Sequence, residues 1–171
     1  MPEGSALVDF FTHQHRITGR IRTGGQRLTD LLDDEMSSTL ELRDVEVTRI
    51  ITPKEVISTH SSALVEKKAI VFAMSRGEEA EATVRRFYKH VDTTEWEVVL
   101  TVPSFELSGR LHVRGTGDLR TMLLTWTRQF IPLTKAKAVF TLFPEISFAG
   151  GVIIVNRSYI EVICTDVKSA L

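Results

Sequence analysis

The chain has 171 residues, 43% of them hydrophobic and 25% charged, and a formal net charge of −1. That mix belongs to packed globular proteins and excludes wholesale disorder. The balance of 21 basic and 22 acidic residues excludes a chain built as a whole to coat nucleic acid or an acidic membrane, and leaves such a role to a local patch. A single cysteine, Cys164, excludes an internal disulfide framework.

The N-terminal residues lack the basic start of a signal peptide. The near-apolar run Gly150 to Val155 is far below the roughly 20 residues that span a bilayer. The expectation is a cytoplasmic protein without a membrane partner.

In chain order, Ala6 to Thr12 reads as a first strand. A second follows in which Ile17, Gly19 and Ile21 face one way and Arg16, Thr18, Arg20 and Arg22 the other, the period of two of a half-buried strand. Gly24-Gly25 marks a turn. Leu28, Leu31, Leu32 and Met36 then recur at helical spacing, enough for one or two turns. Leu40-Glu41-Leu42 and Val45-Glu46-Val47 both alternate but with conflicting phase, which a bulge at Arg43-Asp44 repairs. An apolar hairpin of Val56–Thr59 with Leu64–Met74 closes this stretch. Ala80, Val84, Phe87 and Tyr88 place a helix at about Glu78 to His90.

The remaining elements repeat the first set. Strand Trp96–Val102 answers Ala6–Thr12, and Glu106-Leu107-Ser108-Gly109-Arg110-Leu111-His112 answers Arg16-Ile17-Thr18-Gly19-Arg20-Ile21-Arg22 at an offset of 90 (107 − 17). Gly115-Thr116-Gly117 is the next turn, and Leu119, Met122 and Leu123 match Leu28, Leu31 and Leu32 at 91. Ile131 and Leu133 match Leu40 and Leu42, with the same phase break at Thr134-Lys135. Val155, Ile160, Val162 and Cys164 match Val65, Ile70, Phe72 and Met74 at 90, in a second hairpin of Ile146–Phe148 with Val152–Cys164 turned by Gly150-Gly151. A glycine at the same strand-interior position in both copies points to a bend, a bulge or a close backbone approach. The fold class expected is mostly β (α+β), a tandem duplication of a small bent-strand sheet or barrel unit with short helices. Its parts are a first β repeat over 1–75, a helical linker over 76–95 and a second β repeat over 96–171.

No residue pattern spells a reaction. Gly24-Gly25-Gln26-Arg27 before a helix start lacks a Walker lysine and the G-x-G-x-x-G spacing, so it reads as a turn rather than a phosphate loop. His13 and His15 share a strand face, but two ligands do not fix a transition metal, and no Cys/His cluster supplies more. Asp30, Asp33, Asp34 and Glu35 lack the alternating pattern of a calcium loop and suit a helix start by charge. Cys164 lies on an apolar strand face, where a buried thiol is inert. No catalytic residue, metal or cofactor is expected. What remains is a basic stripe of Arg16, Arg20, Arg22 and Arg27, continued by Arg110 and Arg114 in the second copy, suited to phosphate or other anions. The aromatics Trp126, Phe130, Phe143 and Phe148, where exposed, would anchor a partner.

The stretch Gly25-Gln26-Arg27-Leu28-Thr29-Asp30-Leu31-Leu32-Asp33, followed by Leu40-Glu41-Leu42-Arg43-Asp44-Val45, resembles a group of uncharacterised bacterial proteins sharing G-x-R-L-[ST]-D-x-L-[ND] and a following strand; this resemblance implies no activity. The bent strands and the closing segment Ile154-Val155-Asn156-Arg157-Ser158-Tyr159-Ile160 are more weakly similar to Sm-like small barrels, although in that family the helix precedes the first strand. The functional expectation is a non-enzymatic assembly or protein-interaction module that associates with itself or with a protein partner. The alternative is an Sm-like nucleic-acid binder using the basic first strand of each copy.

Overall fold

The computed structural model describes residues 4–76, 93–114 and 118–165. The helix expected at 78–90 and the Gly115-Thr116-Gly117 turn lie outside the described residues. The chain is mostly β: ten antiparallel strands form one open sheet, with two short helices among the described residues.

The first half contributes β1 (Ser5–Phe11), β2 (His15–Arg22), α1 (Leu28–Asp33), β3 (Thr39–Arg49), β4 (Val56–Glu66) and β5 (Phe72–Ser75). The second contributes β6 (Thr93–Val102), β7 (Phe105–Arg114), α2 (Leu119–Thr125), β8 (Phe130–Phe140), β9 (Ser147–Asn156) and β10 (Val162–Thr165). A single 3-10 turn precedes the last strand of each half, at Lys67–Ala69 and at Arg157–Tyr159. Across the sheet the order is β10-β6-β7-β8-β9-β5-β1-β2-β3-β4. Each half thus places its fifth strand beside its first, then its second, third and fourth, and the halves meet where β9 pairs with β5.

Alternation decides which faces are buried. Leu107, Leu111 and Val113 of β7 are buried while Glu106 and Ser108 are exposed. Leu40, Leu42 and Val45 of β3 are buried, and the change of phase between the last two falls at a bulge. Thr18 faces Glu46 and Arg20 faces Arg43, so Gly19 stands opposite the extra residue of β3, and Asp44 there takes φ of 50°. The second half repeats the device: Ser108 faces Lys137, Arg110 faces Thr134, and Lys135 takes φ of 49°. The left-handed region is uncommon outside glycine, and each bulge places one such residue at the corresponding position. The two glycines allow the close approach. A methyl group on Gly109 would meet Thr134 O at 3.0 Å, and one on Gly19 would meet Leu42 Cβ at 3.1 Å.

Both hairpins expected at the ends of the halves are replaced by a different connection. β4 runs unbroken from Val56 to Glu66 through His60-Ser61-Ser62-Ala63, which holds no glycine or proline to break it. β5 then pairs with β1 and β9 rather than with β4. Gly150-Gly151 lies inside β9, where Gly150 faces Ala136 and leaves room for the Met74 side chain, whose Cε would sit 2.7 Å from an added Cβ. A strand glycine here serves close approach rather than a turn. α1 also ends before Met36, which is 94% exposed instead of joining the apolar face.

The core runs through the joint. Phe11 stacks on Phe72 at a centroid distance of 4.3 Å, and Phe105 and Phe148 of the second half pack edge-on against Phe11 at 5.7 and 4.8 Å. One apolar cluster therefore contains residues of both halves. Asp33 of α1 adds a polar clamp: its Oδ1 accepts from the backbone N–H of Gln129 at 3.1 Å and of Phe130 at 2.9 Å. Burial pushes the Asp33 carboxyl above its ordinary value, against the pull of those amides and of Arg128. No helix among the described residues is long and apolar enough to cross a membrane, a test that does not reach β-barrels.

Candidate interaction surface

The basic stripe does not form one free cationic face. Arg16 is half-buried; its Nη2 donates to Pro53 O at 2.8 Å and its guanidinium lies 5.6 Å from the centre of the Phe148 ring. Desolvation lowers its proton affinity, with Asp9 opposing. Arg20 stands 3.9 Å from Asp44. Arg110 donates to Glu95 at 3.0 Å and to Glu97 at 3.2 Å, two acids delivered by the neighbouring strand β6. Arg22 and Arg27 are exposed, and Arg114 ends β7 opposite Thr93. The groove beside β2 and α1 mixes Arg20, Arg22, Arg43 and Lys67 with Asp34, Glu41 and Asp44. Four basic and three acidic side chains leave a net charge of only +1 there, a weak pull on a phosphate backbone.

The four aromatics part company. Phe130 is 2% exposed and belongs to the core, and Phe148 is half-buried against Phe11 and Phe105. Trp126 packs half-buried against the core, and the backbone carbonyl of Trp126, with that of Leu123, accepts from Arg157. Phe143, 40% exposed, is the one of the four that faces solvent.

Among the described residues no three His, Cys, Asp or Glu side chains gather as a metal site. His13 and His60 are exposed, and His60 pairs with Ser58 Oγ at 3.1 Å. His112 is drawn below its ordinary value of 6.5 by burial, with Glu95 opposing, and its Nε2 shares a hydrogen bond of 2.7 Å with Thr134 Oγ1. Gly24 and Gly25 turn with φ of 55° and 83°, and the Thr23 and Gly24 N–H groups donate to Gly4 O, which ties the turn to the residue before β1. Buried Asp9 is held by Thr18 Oγ1 and Arg76 Nε, both at 2.5 Å. Cys164, expected buried, is exposed, because its strand lies at the edge of the sheet.

That edge is what the sequence reading missed. Among the described residues β4 and β10 each have one paired side: β4 pairs with β3, and β10 with β6. From Val56 to Val65, β4 carries no lysine, arginine, acid or proline, the devices by which edge strands commonly repel a neighbour. It exposes Val56 at 48%, Ile57 at 41% and Leu64 at 71%, and β10 exposes Val162 at 50%. Edge status follows from strand order, which no local pattern encodes; the absence of charge over ten residues is the signal that was there to read.

No family model, curated protein or solved structure matches the chain.

Proposed function

We propose that the chain is a non-enzymatic assembly module, built from two tandem copies of one small β unit and associating through the open edges of its sheet. The observation that carries this reading is β4, an eleven-residue edge strand with exposed apolar side chains and no repelling charge before Glu66. The duplication is supported by the paired bulges at Gly19/Asp44 and Gly109/Lys135 and by the 3-10 turn before each closing strand. The likeness to Sm-like small barrels belongs to the alternative, a nucleic-acid binder using the basic first strand of each copy. Backbone pairing and apolar contact do not depend on ionic attraction, so association should be insensitive to salt.

Light scattering coupled to size exclusion tests this. The expected mass is a whole multiple of 19.3 kDa, unchanged between low and high salt, with an absorbance ratio free of nucleic acid. A monomer of 19.3 kDa at every concentration overturns the reading. A monomer that carries nucleic acid at low salt and sheds it at high salt promotes Arg22 and Arg27 instead.

A further inference from the structure

The two open edges are made of the same pieces as the joint inside the chain. At that joint Ile153 of β9 faces Met74 of β5, Ile154 faces Ala73 and Val155 faces Phe72. Moved back by 90 positions, the β9 residues become Ala63, Leu64 and Val65 of β4; moved forward by 90, the β5 residues become Val162, Ile163 and Cys164 of β10. These are the strands at the two ends of the sheet.

The surroundings correspond as well. Val155 faces Ile131 as Val65 faces Leu40, and Ile153 faces Leu133 as Ala63 faces Leu42. Phe72 faces Phe11 as Val162 faces Thr101. Just before these strands, Val71 N donates to Phe11 O at 2.8 Å, and Glu161 N to Thr101 O at 2.9 Å. Each edge thus presents a backbone already held in the conformation its counterpart uses at the joint. Burial separates the two settings: Ile154 is 1% exposed and Phe72 0%, whereas Leu64 is 71% exposed and Val162 50%.

We propose that the occupant of these edges is a second copy of this chain, with β4 of one molecule pairing antiparallel with β10 of the next. The inference rests on the assembly reading and gives it a partner and a register: Ala63 opposite Cys164, Leu64 opposite Ile163, Val65 opposite Val162. The contact is head to tail, so it closes into a ring or continues as a filament. One bond of the joint is not repeated. Asn156 Nδ2 donates to Ile70 O at 2.9 Å, whereas its counterpart Glu66 has no side-chain N–H to give. The contact between molecules is accordingly weaker than the joint within one.

Cys164, the only cysteine and exposed, makes the register testable. Directly opposed antiparallel residues have Cα atoms about 4.5–5.5 Å apart, within the range of about 4.4–6.8 Å that a disulfide spans. Ala63→Cys protein would be oxidised with diamide, which takes up the two thiol hydrogens as the S–S bond forms, and run on a non-reducing gel beside its light-scattering mass. The expected result is a covalent ladder of dimers and larger species, lost on reduction, absent when Cys164→Ser is added, and absent from a Ser58→Cys control placed away from the register. Leu64→Lys added to Ala63→Cys should abolish the ladder; Leu64 is mostly exposed in the single chain, so this change leaves the fold intact by circular dichroism. A protein that is oligomeric by mass but gives no ladder, or the same ladder with Ser58→Cys, overturns the register while the assembly reading stands. An oxidised band of monomer size means β4 and β10 meet within one molecule and also overturns it. A monomeric mass removes both.

Discussion

Phe72→Ala is expected to lower the unfolding free energy by about 3–5 kcal/mol, the cost of deleting a fully buried aromatic and leaving a cavity. Phe72 is 0% exposed. It stacks on Phe11 at 4.3 Å and meets Phe105 edge-on at 5.0 Å. Its strand is the one paired on one side with β1 and on the other with β9, so the cavity opens at the joint of the halves. The loss is a large part of the roughly 5–15 kcal/mol that holds a domain together. Urea unfolding followed by circular dichroism measures it, with Met36→Ala, at a residue 94% exposed, as the control expected within about 0.5 kcal/mol of wild type. Because the aromatic cluster belongs to both halves, the loss should shift one cooperative transition as a whole. Two separate transitions in the variant, with the second half melting as before, would show that the joint does not couple the halves.

Gly109→Ala is expected to cost about 1–3 kcal/mol, the usual range for forcing extra volume into packed structure. The added methyl would meet Thr134 O at 3.0 Å and the Cβ atoms of Ala136 and Leu133 at 3.2 Å. The oxygen is backbone and sits in the bulge, so it cannot swing aside as a side-chain tip would. Gly19→Ala makes the comparison informative. Its contacts are Leu42 Cβ at 3.1 Å, Leu42 Cδ1 at 3.2 Å and the backbone oxygen of Arg43 at 3.4 Å; the Cδ1 tip can turn aside, and the backbone oxygen lies 0.4 Å farther off than at Gly109 (3.4 − 3.0). Gly19→Ala should therefore be the milder of the two in the same urea experiment. Equal losses at both positions would show that strand propensity, not the close approach, sets the cost.

Those glycines also mark what could be read from the sequence. The phase conflict between Leu42 and Val45, and its echo between Leu133 and Ala136, located both bulges because the strand period of two leaves no other remedy. The alternation of Leu107, Leu111 and Val113 located a buried face for the same reason. Properties that depend on distant partners were not legible. Nothing near Arg110 announces that Glu95 and Glu97 neutralise it, since they arrive on the paired strand β6. Gly150-Gly151 carries the composition of a turn but is drawn into β9, where Met74 needs the space. Asp33 looks like a helix-start acid and instead receives two amides of the other half. Phe130 reads as a candidate anchor until strand pairing puts it in the core. The open edges are the extreme case, since whether a strand has one neighbour or two is decided by the order of the whole sheet.

Assembly through β4 and β10 is tested most directly by hydrogen exchange read by mass spectrometry. At concentrations where the protein is oligomeric, peptides covering Ala63–Glu66 and Val162–Thr165 should exchange slowly, and they should exchange quickly on dilution or in Leu64→Lys. β1 and β8, paired on both sides within the chain, should hold their protection in every condition. An oligomer whose β4 and β10 amides exchange as fast as those of the diluted protein would contradict the account and place the interface elsewhere.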